Sequence, residues 1–204
     1  MRATLDKLIS WTGLVLAAVL LVAGGLLTWA SSFVGAQVDQ QLGDQHITMP
    51  ATEAIAGDEA LSQADKDALT PFAGQDMRAG DQAKAYADHY ILAHMNHASE
   101  GQTYSEVSGQ YMGAGCSDPA KATDATCQQL GGLRQTLFQG STLRGLLLYG
   151  YAFGTIGKIA GFAAIAAFVG TAVMLALGLL GLRHAKLAAQ STAPTARVEE
   201  AVTV

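Results

Sequence analysis

Two long stretches of this sequence are almost free of charge, and no other feature restricts the possible folds as much. The first, residues 8–30, holds 23 residues and no charged side chain. The second, residues 145–182, holds 38 residues and a single charge, Lys158. A helix that crosses a bilayer needs roughly 20 consecutive apolar residues, so either stretch is long enough. Together they bring the charged fraction down to 14%, against about 25% in typical soluble domains. That deficit argues against an ordinary soluble enzyme, and the apolar content argues against a disordered chain. A net charge of −5 argues against nucleic acid as a partner.

The sequence therefore predicts a mainly α-helical membrane protein. Two transmembrane helices flank a small, mostly helical extracytoplasmic domain. Residues 1–7 form a cytoplasmic N-terminus, 8–30 the first span, 31–144 the outer domain, 145–182 a long helix and 183–204 a disordered cytoplasmic tail. A cleaved signal peptide is the alternative for the first stretch, with Arg2 and Lys7 as its basic flank. Its apolar run exceeds the 7–15 residues usual for such a segment, so an uncleaved anchor is the preferred reading. Arg2 and Lys7 precede the first span, and Arg183 and Lys186 follow the second. The positive-inside rule then puts both termini in the cytoplasm and the middle of the chain outside a bacterial plasma membrane. Residues 31–144 carry 14 acids and 6 bases, a net −8, and the remainder is +3.

As one helix, the second stretch would measure about 57 Å, nearly twice a hydrocarbon core of roughly 30 Å. Two spans joined by a tight turn are disfavoured, because no Pro or Asn is present there and Lys158 is the one charge that could mark a turn. The preferred reading is one long helix whose residues 159–182 cross the membrane. Lys158 then snorkels to the outer interface. The helix extends outside the membrane, where Leu146, Leu147, Leu148, Tyr149, Tyr151 and Phe153 cannot all face water. The protein's own outer domain or a partner must cover them. Gly157 and Gly161 form a GxxxG spacing, and Ala163 with Ala167 and Ala166 with Gly170 repeat it. Small residues let helices approach closely in lipid. The mate is either the chain's first helix, with Gly13, Ala17, Gly24 and Gly25, or a foreign one.

Helical periodicity also dominates residues 31–144. A short helix begins at Ser62 and stops before Pro71. A longer one is capped by Asp81 and runs through Ala98, closed by Gly101. Thr103 and Glu106 have capping-box spacing, and a further helix covers residues 124–138. Residues 46–49 read as a short extended piece and 50–60 as loop. Cys116 and Cys127 are the only cysteines. In an oxidising compartment they form a disulfide.

His89, His94 and His97 share a broad face of one helix. Two of them with Asp88 or Glu100 could hold a transition metal, but polar residues on an exposed face explain the pattern as well. A pH-sensitive face is a further reading. No nucleophile elbow, phosphate-binding loop or dinucleotide fingerprint occurs, so the chain is expected to be no enzyme and to bind no cofactor.

Several ordered motifs carry a resemblance. Ile91, His94, Gly101, Thr103, Tyr104 and Glu106 resemble a motif of small two-helix membrane proteins of actinobacteria. Leu42, Asp44, Ile47 and Thr48 resemble the stretch that follows the first helix in that family. Phe72-Ala73-Gly74 and Ala85-Tyr86-Ala87-Asp88 are similar to its next blocks. Leu143-Arg144 and Ala152-Phe153-Gly154 resemble the approach to its second helix. The likeness covers roughly residues 8–182, and residues 108–140 with both cysteines depart from it as an insertion. Some members carry the label aromatic ring-opening dioxygenase, which no iron-binding pattern here supports. The resemblance implies an accessory or association factor of the supercomplex of cytochrome bcc with aa3-type oxidase, in respiratory electron transport. Its partners would be the membrane, subunits of those two complexes and lipid. Haem and copper would reside only in the partner subunits. The alternative is a stand-alone membrane-anchored module that senses or binds a ligand or metal outside the cell.

Overall fold

The computed structural model describes residues 2–191, and of these the side chains of 2, 3, 189 and 191 are left aside. The far part of the expected tail, 192–204, lies outside the described residues. The near part is not disordered: the last helix continues to Ser191, as its Ala, Lys, Leu and Gln content favours.

The described residues form helices and no strand. They are α1 (Arg2–Gly43), α2 (Thr52–Gly57), α3 (Gln63–Leu69), α4 (Gly80–Ala85), α5 (Leu92–Ser99), α6 (Tyr104–Gly113) and α7 (Ala125–Ser191). Short 3₁₀ turns lie at Thr70–Phe72 and Pro119–Lys121, and a π-helical turn, Tyr86–Ile91, joins α4 to α5. Two helices, α1 and α7, are long and apolar enough to cross a membrane. The described residues divide into two compact units, one made of residues 2–30 and 159–191, the other Ser31–Lys158.

In the first unit, small residues recur every seventh position on both helices and are buried. They are Ser10, Ala17 and Gly24 on α1, and Ala164, Thr171, Gly178 and Ala185 on α7. A strict seven-residue repeat keeps one seam facing its neighbour along the length of a left-handed helix pair. Gly24 meets the ring of Phe168, and Gly178 meets Leu14 and the Ser10 carbonyl. The hydroxyls do not arrive unpaired. Ser10 donates to the Asp6 carbonyl and Thr171 to that of Ala167, each one turn back.

The second unit has an ordinary apolar core. Met49, Ile55, Leu69, Met77, Val107 and Leu137 are its largest fully buried side chains. Ile55 explains why residues 50–60 are not simply loop: burying it organises the short α2. The extended piece at 46–49 is present as an antiparallel bridge between Thr48 and Asp76. Ser62 and Asp65 form a reciprocal capping box at α3, and Thr103 and Glu106 form another at α6. The expected cap at Asp81 is displaced, because the Gln82 side-chain oxygen accepts from the Arg78 and Ala79 amides. The α4–α5 run ends as expected, with Glu100 and Gly101 both left-handed.

The expected stop at 138 does not occur, and α7 runs unbroken from Ala125. Gly140 is not a helix end. It is the point where the Met95 side chain lies on α7, and a Cβ there would push the Met95 sulfur aside.

Candidate docking face and charged hub

Within the second unit, residues 33–47 of α1 and its following turn and residues 143–153 of α7 enclose an open groove of 670 Å³. Phe33, Val38, Leu42, Leu146, Tyr149 and Phe153 give it an apolar lining, and Gln37, Gln41, Asp44 and Gln45 line it as well. The six residues expected to need cover divide evenly. Leu147 is buried in the chain's own core, where Leu148 packs beside it, and Tyr151 is half-buried. Leu146, Tyr149 and Phe153 remain 62%, 66% and 55% exposed, and Ile156 continues them at 56%. Their 3-4-3 spacing makes one row along α7, so the helix sorts its apolar residues into an inner and an outer face.

The small residues singled out by spacing also divide. Gly157 is buried against Val34 and the Ser31 carbonyl. Ala167 is buried, Gly161, Ala163 and Gly170 are half-buried, and Ala166 is exposed. Gly170 meets Leu20 of α1. A four-residue spacing thus caught part of the seam, whereas its actual period is seven.

The π-helical turn gathers the charges. A π turn rotates successive side chains differently from an α turn and leaves local backbone groups available. Asp88 accepts from Lys84 at 2.5 Å and from Arg144 of α7 at 2.7 Å. Burial would raise its carboxyl, but the Lys84 and Arg144 hydrogen bonds outweigh that and hold it below the usual range. Lys84 in turn is pushed up by its hydrogen bond to Asp88, and it lies 5.3 Å from the Tyr151 ring. His89 Nδ1 lies 2.9 Å from Asp65 Oδ1. Lys158 does not merely snorkel, since it pairs with Asp81 of α4.

Asp88→Asn should cost about 1–2 kcal/mol at pH 7, allowing for the solvent that reaches Lys84 and Arg144. A depressed carboxyl stabilises fully above its unfolded value of about 3.9 and loses that stabilisation as pH falls through its lower folded value. Acid titration of the wild type and the Asn variant should therefore converge only below the usual carboxylate range. Parallel curves down to pH 2 would remove this assignment.

The histidines do not converge on one point. His89 faces Asp65 and His94 faces Asp58, while Asp88, the expected carboxylate ligand, is taken by Lys84 and Arg144. His97 is exposed, and Glu100 occupies the left-handed position at the end of α5. Among the described residues, no three of His, Cys, Asp and Glu come together as metal ligands. Cys116 and Cys127 form a disulfide, Cα–Cα 5.2 Å, across the turn before α7. No family model, curated protein or solved structure matches the chain.

Proposed function

We propose that this chain is a two-span protein of the bacterial plasma membrane, with both termini inside and residues 31–144 outside. On this reading it is a non-catalytic accessory subunit that stabilises or assembles the cytochrome bcc–aa3 supercomplex. Two observations support the membrane placement. The most apolar windows of α1 and α7 are only 11% and 22% buried, unlike the core helix of a soluble protein. Trp11 and Trp29 are both exposed on α1, and their separation corresponds to about 27 Å of helix. That matches the roughly 30 Å hydrocarbon core whose two interfaces favour tryptophan.

The observation that carries the subunit role is the row Leu146, Tyr149, Phe153 and Ile156. It stands in the outer unit, N-terminal to Lys158, where lipid tails do not reach on this placement. Water is a poor neighbour for four adjacent large apolar side chains. The choice of assembly rests on the resemblance carried by the ordered motifs between residues 42 and 154. A tagged chain extracted in mild detergent should bring down haem-containing subunits in near-stoichiometric ratio. Recovery of the chain alone, without haem absorbance, would sink the reading. The groove volume falls within the range of small-molecule sites and favours the second reading, a stand-alone ligand-binding module. In that case the purified chain, free of partners, would bind an apolar ligand, and groove substitutions would abolish the binding.

A further inference from the structure

Within the second unit α1 and α7 meet along one line. Leu42 lies at Gly150, Val38 at Gly154 and Val34 at Gly157. The helices are therefore antiparallel here, with Phe33 and Phe153 at one end of the groove and Ile47 and Leu143 at the other. Val38, Leu42 and Leu147 are buried and close its floor, because they also belong to the core. Leu146, Tyr149 and Phe153 line the α7 side, and Gln37, Gln41 and Gln45, four residues apart, line the α1 side.

Size and charge select the occupant. On α7 the lining runs from Leu143 to Phe153, about 15 Å of helix. A chain in one leaflet of a hydrocarbon core roughly 30 Å thick also spans about 15 Å. A docked helix of that length, about 10 Å across, would fill about 1,200 Å³, far more than the 670 Å³ present. Among the described residues, no lysine or arginine lines the groove, and its one charge, Asp44, stands at the far end. Nothing there pairs a phosphate or a carboxylate, so a plain hydrocarbon chain fits, entering methyl end first. The near end lies toward the supply of such chains. Phe33 follows the first charge-free stretch by three residues on the unbroken α1, and Phe153 precedes residue 159 by six on the unbroken α7.

We propose that one acyl chain of an outer-leaflet phospholipid leaves the bilayer and lies in this groove. Chains in their own layer do not reach this height, so this one is drawn out while its headgroup stays at the interface. Passing from lipid into an apolar groove costs the chain little, and the side chains it covers leave water. The inference rests on the two-span placement proposed above. It names the ligand class of the groove and does not depend on the assembly, because a partner would close over the filled groove.

The full-length chain is placed in nanodiscs of phosphatidylcholine that carries a photoactivatable diazirine at the acyl terminus, and labelled peptides are read by mass spectrometry. A chain in its ordinary place ends near the bilayer centre and labels the middles of 8–30 and 159–182. A seated chain labels residues 41–47 and 143–147. That labelling should exceed labelling of residues 104–113 by about tenfold, one decade of preference. Leu146→Glu puts a carboxylate in the lining and should lower the far-end labelling about tenfold, with the spans labelled as before. Span labelling without far-end labelling overturns the proposal and leaves the membrane placement standing. Far-end labelling undiminished by Leu146→Glu overturns it too, as does far-end labelling by a diazirine fatty acid and not by the phospholipid. Absence of label from both spans overturns the two-span placement and this inference with it. Should the Leu146→Glu chain misfold, the wild-type ratio of far-end to 104–113 labelling decides.

Discussion

Gly80→Val should destabilise the second unit by about 3 kcal/mol, the upper part of the range for overpacked sites. A Cβ at position 80 would lie 2.9 Å from the Tyr151 Cα and 3.1 Å from the Gly150 carbonyl oxygen. Both are backbone atoms of α7 and cannot rotate away. The first turn of α4 would have to lift off α7. Ala83, Ala85 and Ala87 follow it into the core and are almost completely buried, so a small lift opens voids along the whole contact. The Asp81–Lys158 pair and the Asp88–Arg144 hydrogen bond cross the same contact and would be stretched. Gly109→Ala makes a suitable contrast. It lies in α6 with nothing near its missing Cβ, so alanine should add about 1 kcal/mol through helix propensity alone. The melting point of the detergent-solubilised chain, followed by near-ultraviolet dichroism of the second unit's tyrosines, should fall by roughly 10 °C for Gly80→Val. A melting point within a degree of wild type would show that α4 does not lie on α7 at this point.

This backbone contact also marks a limit of what the sequence discloses. The two long helices were legible because roughly 20 uncharged residues have few other uses, and the caps at Ser62 and Thr103 were legible because a capping box is a local device. Glycines have no such single reading. Gly101 ends a helix, Gly140 sits mid-helix under Met95, and Gly80 starts one against α7; only the neighbours distinguish them. Asp81 is no cap because the helix already starts at Gly80, where the Gln82 side chain reaches back to the Arg78 and Ala79 amides. The seven-residue seam from Ser10 to Gly24 and from Ala164 to Ala185 was present in the sequence. The overlapping four-residue spacing of small residues masks it. The histidine face was visible as a helical stripe, but its partners Asp58 and Asp65 lie 36 and 24 residues earlier in the chain. No local pattern links them. The sorting of Leu147 inward and Tyr149 outward likewise depends on where α1 packs.

Tyr149→Glu with Phe153→Glu should abolish co-purification with any partner that covers the α7 row, while leaving the chain folded. The two side chains are 66% and 55% exposed, and substitutions at such positions usually change stability by less than about 0.5 kcal/mol each. Covered by a partner, each aromatic ring would contribute roughly 1.5–3 kcal/mol through burial. Each glutamate would also bring a charge that the interface must desolvate. A combined loss near 4 kcal/mol corresponds to about a thousandfold weaker association. The haem recovered per tagged chain should then fall to background. Met112→Glu supplies the control, since Met112 is 64% exposed on α6 and away from the row, and it should leave recovery unchanged. Full recovery by the double variant, with the same melting point as wild type, would move the partner off this face. The Gln37, Gln41 and Gln45 edge of the groove would then be the next surface to alter. Loss of recovery with a lowered melting point would instead mean that the row supports the fold and is not a docking face.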